Sequence, residues 1–254
     1  MTKINNLSFF LCVVIAFLLN SCNPTEKNES LPVLVTDVDG NNYTTVTIGT
    51  QTWMVENLKT THYRNGDAIA NVTGNTAWTG LSTGARCDYN NDATNSTKYG
   101  HLYNFFAVAD SRNIAPVGWH VPTNAELKTL TDYVSAHLGT SLSVTKALAG
   151  TTDWIANSNP WSIGCNLTLN NSTGFSALPG GLRGGSDGKF MGVTSLGYWW
   201  SSTKDTVTTA SYSAATARYI FMEPSYPDVF SIYSLDDMNG YGRQRGYSVR
   251  CVRD

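Results

Sequence analysis

The feature that most constrains this chain is an apolar run near its N-terminus. It indicates that the first residues form a separate segment, which is not part of the domain that the rest of the chain folds into. Lys3 is followed by residues 7–19, a stretch without a charged side chain. A charged start, an apolar stretch and a short small-residue segment ending at Cys22 follow the order of a secretory signal. The run is shorter than the ~20 residues of a permanent membrane-spanning helix. We therefore expect residues 1–21 to be a signal peptide.

The end of this segment, Leu19-Asn20-Ser21-Cys22, resembles the bacterial lipobox. Such a sequence is cleaved before the Cys, and the Cys22 thiol and the new amino group are then acylated. Several acyl chains hold a protein on a membrane stably, whereas one binds marginally. We predict an outer membrane lipoprotein that faces the cell surface or the periplasm. The alternative is a plain signal peptide whose first mature residues include a Cys.

The composition limits the classes of ligand that the mature chain is expected to bind. Charged residues make up 14% of the sequence, well below the ~25% of typical globular proteins. No basic run is present, so we do not expect nucleic acid as a partner. The 7 Trp and 13 Tyr, set among Asn, Ser, Thr and Gly, suit contact with sugars in an extracytoplasmic fold. The alternative is that these aromatic side chains mostly fill the core.

The cysteines argue against a metal or redox site. Cys12 leaves with the signal and Cys22 takes lipid, so Cys87, Cys165 and Cys251 remain. Three cysteines allow at most one disulfide within the chain, and an exported protein can keep it. No CxxC motif or Cys/His cluster is present, which disfavours zinc. We expect no cofactor apart from calcium, which is considered below.

The organisation predicted after the signal is a tether followed by one domain. Residues 22–35 carry the lipidated Cys and a polar segment with Pro near both ends, typical of a flexible linker. Residues 36–254 show no internal repeat and no boundary. Within them, Asp37-Val38-Asp39-Gly40-Asn41 predicts a hairpin turn rather than a calcium loop. The twelfth position of that loop is Ile48, where an EF-hand needs a bidentate Glu.

The clearest helix is predicted at residues 123–138. Thr123 and Glu126 have the spacing of a capping box, and Gly139 follows as a stop signal. The apolar stripe of this helix consists of Leu127, Leu130, Val134 and Leu138. A second helix is expected at residues 144–148, and a short one within 101–109. Residues 62–98 show little regular pattern and are expected to form a long ordered excursion or a bundle of loops. Helices among many short strands, without repeating βαβ units, predict the α+β class.

Six ordered blocks of the sequence resemble a known family. They include Trp53-Met54-x-Glu56-Asn57-Leu58, Gly118-Trp119-His120-Val121-Pro122-Thr123, Tyr198-Trp199-Trp200-Ser201-Ser202 and Gly246-Tyr247-Ser248-Val249-Arg250-Cys251-Val252. Together the blocks resemble the Fibrobacter succinogenes major paralogous domain family of Bacteroidetes surface lipoproteins. The resemblance implies a C-type-lectin-like core, related to formylglycine-generating enzymes, with two main helices, short antiparallel strands and long ordered loops. It implies little about chemistry.

The resemblance also bears on the cysteines. Many members of the family carry Cys where this chain has Ser96 and Ala115. A family disulfide is therefore expected to be missing, and Cys251 is either paired with Cys87 or free.

One short segment could bind calcium. Glu223-Pro-Ser-Tyr-Pro-Asp228 resembles the tripeptides that bind calcium and sugar in true C-type lectins. Glu223 and Asp228 would supply hard oxygen ligands. Ser225 stands in place of the expected amide, and an ordinary acidic surface loop is the favoured alternative.

Residues 204–245 are the candidate ligand surface. Tyr combined with Ser and Asn is typical of adaptable recognition surfaces. The candidate residues are Tyr212, Tyr219, Tyr226, Tyr233, Asp236, Asp237, Asn239 and Tyr241. The alternative is a set of ordinary strands with alternating aromatic faces.

These patterns predict a lipid-anchored binding module of the cell envelope, with a glycan as ligand and without catalysis. One alternative is a protein-binding adhesin or assembly subunit. Another is an enzyme of the formylglycine-generating type, which a closely spaced Cys87–Cys165 pair would favour. The four histidines, spread from His62 to His137, show no catalytic spacing.

Overall fold

The computed structural model of this chain describes residues 34–138, 143–209, 212–223, 231–234 and 242–254. All of these residues belong to one compact unit, Pro32–Asp254. Helices and strands are mixed along it, which confirms the predicted α+β class. Within the described ranges, no helix has both the length and the apolar character needed to cross a membrane.

The strands are mostly short, and two of them are long. In chain order they are β1 Val35–Thr36, β2 Asn42–Tyr43, β3 Thr45–Ile48, β4 Gln51–Met54, β5 Ala70–Asn71, β6 Ala85–Cys87, β7 Leu102–Tyr103, β8 Trp119–His120, β9 Gly180–Arg183, β10 Phe190–Val193, β11 Gly197–Thr209, β12 Tyr212–Met222, β13 Ser231–Ser234 and β14 Val252–Arg253. The α-helices are α1 Asn75–Thr79, α2 Ala93–Tyr99, α3 Phe105–Val108, α4 Asn124–His137 and α5 Val144–Leu148. Two 3₁₀ turns lie at Tyr89–Asn91 and Leu167–Leu169.

Four sheets organise these strands. Their orders are β1-β2, β3-β4-β14-β8, β5-β6-β7 and β10-β9-β11-β12-β13. The prediction of short antiparallel strands was wrong in two respects. The pairs β5–β6 and β9–β11 are parallel, and β11 and β12 pair with each other from Gly197 opposite Met222 to Thr209 opposite Tyr212. Over most of their length, each of these two strands supplies the backbone hydrogen-bond partners of the other. The pairing shifts register between Trp200 and Lys204, where Ser202 N–H donates to the Pro122 carbonyl oxygen instead (2.8 Å).

The turn at Asp37 is a hairpin turn, as predicted. Val35 lies opposite Tyr43 across β1 and β2, and Gly40 N–H donates to the Asp37 carbonyl oxygen (3.1 Å). The Asp37 carboxylate accepts hydrogen bonds from Asn41 N–H (2.9 Å) and the Tyr43 hydroxyl (2.6 Å). Its oxygens therefore serve the turn itself.

The capped helix α4 confirms the clearest prediction. Glu126 N–H donates to Thr123 Oγ1 (3.3 Å), and Thr123 N–H donates to Glu126 Oε2 (2.7 Å). These two bonds complete the capping box. The helix buries Leu127, Leu130 and Val134, and α5 follows where it was expected.

Residues 62–98 are more regular than predicted, since they include β5, α1, β6 and α2. Helices of five and seven residues are too short to be stable alone. Tertiary burial stabilises them, through Trp78 in α1 and Tyr99 in α2. The helix predicted within 101–109 spans only Phe105–Val108. The final strand is shorter than its apolar pattern suggests, because Tyr247 and Ser248 form isolated bridges instead of a continuous ladder.

Two neighbouring tryptophans connect the two large parts of the core. Successive side chains of a strand point to opposite faces, and Trp199 and Trp200 are consecutive residues of β11. Trp199 packs into a cluster with Trp53 and the buried faces of α4 and α5. Trp200 packs into a second cluster with Tyr247. Both indole rings are fully or nearly fully buried, so for these residues the core interpretation of the aromatics is correct.

Candidate functional site

Most of the predicted ligand residues lie outside the described part of the chain. Glu223, which follows β12, is described and half-buried. The second predicted calcium ligand, the lipidation site and five of the candidate ligand residues are not described. The residues outside the described ranges are Cys22, Tyr226, Asp228, Asp236, Asp237, Asn239 and Tyr241.

Three of the predicted tyrosines have a described backbone. Tyr212 begins β12 opposite Thr209. Tyr219 lies in the middle of β12, opposite Trp200 of β11 and Tyr233 of β13. At the level of the backbone these positions therefore agree with the alternative of ordinary strands, which the sequence left open.

A polar crevice is formed elsewhere by residues that are distant in sequence. It has a volume of about 250 Å³. Its walls are residues 55–57 after β4, Lys98 of α2, residues 150–152, three residues of the 171–178 loop, and Arg250 just before β14. The side chains around it are mainly hydroxyls, amides and charged groups, and none of the residues lining it is aromatic. Polar groups and aliphatic carbon share the exposed lining about equally, which suits a ligand that has both polar groups and C–H faces.

Asn57 connects the floor of the crevice to the core. Its Oδ1 accepts hydrogen bonds from Trp199 Nε1–H (2.9 Å) and from Arg250 Nε–H and Nη2–H (3.1 and 2.8 Å). Its amide nitrogen donates to the Tyr99 carbonyl oxygen (2.7 Å). The side chain is 4% exposed, so one amide fixes both the crevice wall and the β11 tryptophan.

Arg250 is a buried cation held by neutral acceptors. Apart from Asn57, its guanidinium donates to the carbonyl oxygens of Phe175 and Ser176, and it lies 4.4 Å from the centre of the Phe175 ring. Burial lowers the pKa of Arg250 to about 9, and the nearby charge of Glu56 opposes that shift. The group therefore remains charged near neutral pH.

Two further charged groups line the crevice. Glu56 receives hydrogen bonds from Thr44 N–H (2.8 Å) and Thr44 Oγ1–H (2.9 Å). Lys98 is paired with Asp153 at the exposed rim. Opposite charges thus line the same small volume, together with neutral groups that can both donate and accept hydrogen bonds.

Sequence reasoning missed this site although Glu56, Asn57 and Arg250 lie in the family-like blocks. One signal was present: Arg250 interrupts the apolar run from Tyr247 to Val252. A charged residue inside a segment predicted to be buried needs partners. The sequence alone could not identify Asn57 as that partner, since 193 positions separate the two residues.

The histidines do not assemble into a common site. His62 pairs with Asp39 (2.5 Å) and His101 with Asp88 (2.7 Å), while His137 bonds to a backbone oxygen. Burial lowers the pKa of His101. In the described ranges no three His, Cys, Asp or Glu side chains are grouped in a way that could hold a metal ion.

The three remaining cysteines are free thiols. Cys87 and Cys251 are buried, whereas Cys165 is partly exposed. The Cys165 carbonyl oxygen accepts a hydrogen bond from Lys146 Nζ (2.5 Å).

Comparison with known proteins places the chain in one family. The model of the Fibrobacter succinogenes major domain matches residues 46–253. No curated protein and no solved structure matches the chain. The matched range includes every residue that lines the crevice, and the family description states neither ligand nor activity.

Proposed function

Since the chain belongs to the Fibrobacter succinogenes major domain family, we propose that it is a lipid-anchored binding module of the cell envelope that recognises glycan and performs no catalysis. The proposal includes acylation of Cys22 and a place in the outer membrane, facing the cell surface or the periplasm. It also includes a C-type-lectin-like core, which the capped helix α4 and the C-terminal strand β14 support.

The observation that carries the proposal is the lining of the crevice. Sugar hydroxyls act as donors and acceptors at once, so a glycan site needs both kinds of partner close together. Glu56 supplies acceptors, and Arg250 and Lys98 supply donors. The Thr151 hydroxyl can serve as either, whereas the Thr152 hydroxyl donates to Asp153 Oδ2 (2.8 Å) and is left as an acceptor. The volume of about 250 Å³ suits a single sugar ring.

A glycan array tests this function directly. The mature chain, carrying Cys22→Ser so that it stays soluble, is applied with calcium and again with chelator. Thr151→Phe places a ring in the crevice, and Thr50→Phe is a matched control at another exposed threonine. We expect glycan binding that Thr151→Phe abolishes and Thr50→Phe leaves intact. A blank array for the unblocked protein would contradict the glycan function.

The chelator arm addresses the predicted calcium ligands. Binding that disappears with chelator would implicate Glu223 and Asp228, which could then be changed to Gln and Asn. Binding that survives would leave the crevice as a calcium-independent site.

An exposed aliphatic patch favours the second candidate, a protein-binding adhesin or assembly subunit. Leu34, Val38 and Val117 are 56%, 50% and 80% exposed. They surround two hollows of about 230 and 430 Å³ that share Thr36 and Val117. Exposed apolar groups that cluster can mark protein contacts. A photo-crosslinker at Val117 that captures one defined partner on intact cells, while one at Ile155 captures none, would support this candidate.

A further inference from the structure

Among the residues that the structure describes, no carboxylate is in direct contact with Arg250 to neutralise its charge. The residue is 2% exposed, and all of its hydrogen bonds within the described chain go to carbonyl or amide oxygens. Glu56 influences it only at longer range. A buried cation without a counter-ion is unfavourable, so an anion brought next to it gains more than the same anion would at the surface.

The guanidinium also has unused hydrogen-bonding capacity. Arginine has five N–H donors. The bonds to Asn57, Phe175 and Ser176 use the Nε–H, both Nη2–H groups and one Nη1–H. The second Nη1–H has no acceptor in the part of the chain that the structure describes. Arg250 is one of the residues that line the crevice, so a ligand bound there is the natural source of the missing acceptor.

The other side chains that line the crevice can form hydrogen bonds with the hydroxyl groups of a ligand. Thr151 and Thr152 are exposed at the rim. Asn171 and Ser176, which also line the crevice, are held in place by mutual hydrogen bonds of 2.7 Å. Thr44 contributes only one donor to each Glu56 oxygen, so both oxygens can still accept from a ligand.

We propose that the crevice binds a sugar ring that bears a carboxylate, that is, a uronate residue of an acidic polysaccharide. This inference rests on the proposed glycan-binding function and specifies its ligand. The carboxylate lies against Arg250, and the ring hydroxyls donate to Glu56 and Thr152 and exchange hydrogen bonds with Thr151. The small volume limits recognition to one ring, with the polysaccharide continuing outside.

Titration of the mature Cys22→Ser chain with four monosaccharides, followed by NMR, tests the inference. The probes are D-glucuronate and D-galacturonate, each compared with its neutral hexose, D-glucose or D-galactose. Acetate serves as a carboxylate without ring hydroxyls. We expect at least one uronate to bind about ten-fold more tightly than its neutral hexose, since a hydrogen bond to a charged group outweighs a neutral one. Acetate should bind about ten-fold more weakly than that uronate, and Thr151→Phe should abolish uronate binding.

A second variant separates a charge effect from a change in shape. Glu56→Gln removes the negative charge near Arg250 and keeps an acceptor for Thr44. The ratio of uronate affinity to neutral-hexose affinity should rise at least about three-fold. An unchanged ratio would overturn the inference, because repulsion between Glu56 and a bound carboxylate is a necessary consequence of it.

The possible failures are distinguishable. Equal binding of uronates and neutral hexoses, both blocked by Thr151→Phe, would overturn the uronate inference and leave the glycan function intact. Binding of acetate as tight as that of the uronate would identify a carboxylate site that does not recognise the sugar ring, and it would overturn the uronate inference. Binding of no saccharide would overturn both proposals.

Discussion

Arg250 and Asn57 are joined by two hydrogen bonds, from Nε–H and Nη2–H of the guanidinium to the single Oδ1 of the amide (3.1 and 2.8 Å). The same oxygen accepts the indole N–H of Trp199. One neutral acceptor therefore holds a buried cation in the wall of the crevice and ties it to a core ring of β11.

Replacing Asn57 by Ala should be strongly destabilising. The change leaves the Arg250 guanidinium and the Trp199 N–H without their shared acceptor in a buried place, and we expect a loss of about 3 kcal/mol or more in the free energy of unfolding. Asn95→Ala removes one half-buried bond to the Tyr89 carbonyl and should cost about 1 kcal/mol or less. Urea denaturation compares the two, and equal losses would contradict the central role of Asn57.

The stability contributed by His120 should decrease as the pH rises. Burial disfavours its charged form, but hydrogen bonds to Asp254 (2.6 Å) and Glu126 (2.7 Å) outweigh that effect and raise its pKa above 6.5. A group whose pKa is raised on folding stabilises fully below its unfolded pKa and loses that contribution as the pH passes its folded pKa.

The measurement is the unfolding free energy of the natural chain minus that of His120→Gln. The ring is partly exposed, so we expect a difference of about 1 kcal/mol or less at about pH 6 that shrinks by about pH 8.5. His137→Gln is the control, because its ring bonds to a backbone oxygen instead of a carboxylate. A difference that grows with pH would refute the assigned pKa direction.

Gly181 should tolerate substitution less well than Gly40, although both have a positive φ, +69° and +82°. A Cβ at Gly181 would lie 2.6 Å from the Met191 carbonyl oxygen, whereas one at Gly40 meets nothing within 4 Å. Gly40→Ala therefore carries only the backbone cost of about 1–2 kcal/mol. Gly181→Ala adds steric conflict inside β9 and should lower the thermal midpoint clearly further. Similar midpoints for the two variants would show that β9 can move away.

The three thiols should differ in reactivity. Burial raises the pKa of Cys87 to about 12 and raises that of Cys251 as well, and the thiolate is the reactive form. Iodoacetamide at mildly alkaline pH should label partly exposed Cys165 in the native Cys22→Ser chain, and the other two only after denaturation. Mass spectrometry of tryptic peptides measures how fast each cysteine is labelled. Native labelling of Cys251 as fast as that of Cys165 would show that β14 opens readily.

Local patterns were sufficient where the interaction is local. The α4 capping box and its apolar stripe lie within about four turns of helix, and the Asp37 hairpin turn closes over a few residues. Both were predicted correctly. The short helices α1 and α2 were not, because burial of Trp78 and Tyr99 stabilises them and no pattern within five to seven residues reports burial.

The sequence by itself determined the α+β class, the main helix and the family, since these follow from periodicity, capping residues and ordered motif blocks. Only the tertiary structure decided where a polar ligand could bind. The crevice requires residues 55–57, α2, two loops and Arg250 to meet. Hydrogen bonds between residues as far apart as Asn57 and Arg250 form only after the sheets have packed, so neither residue's neighbours in sequence indicate its partner.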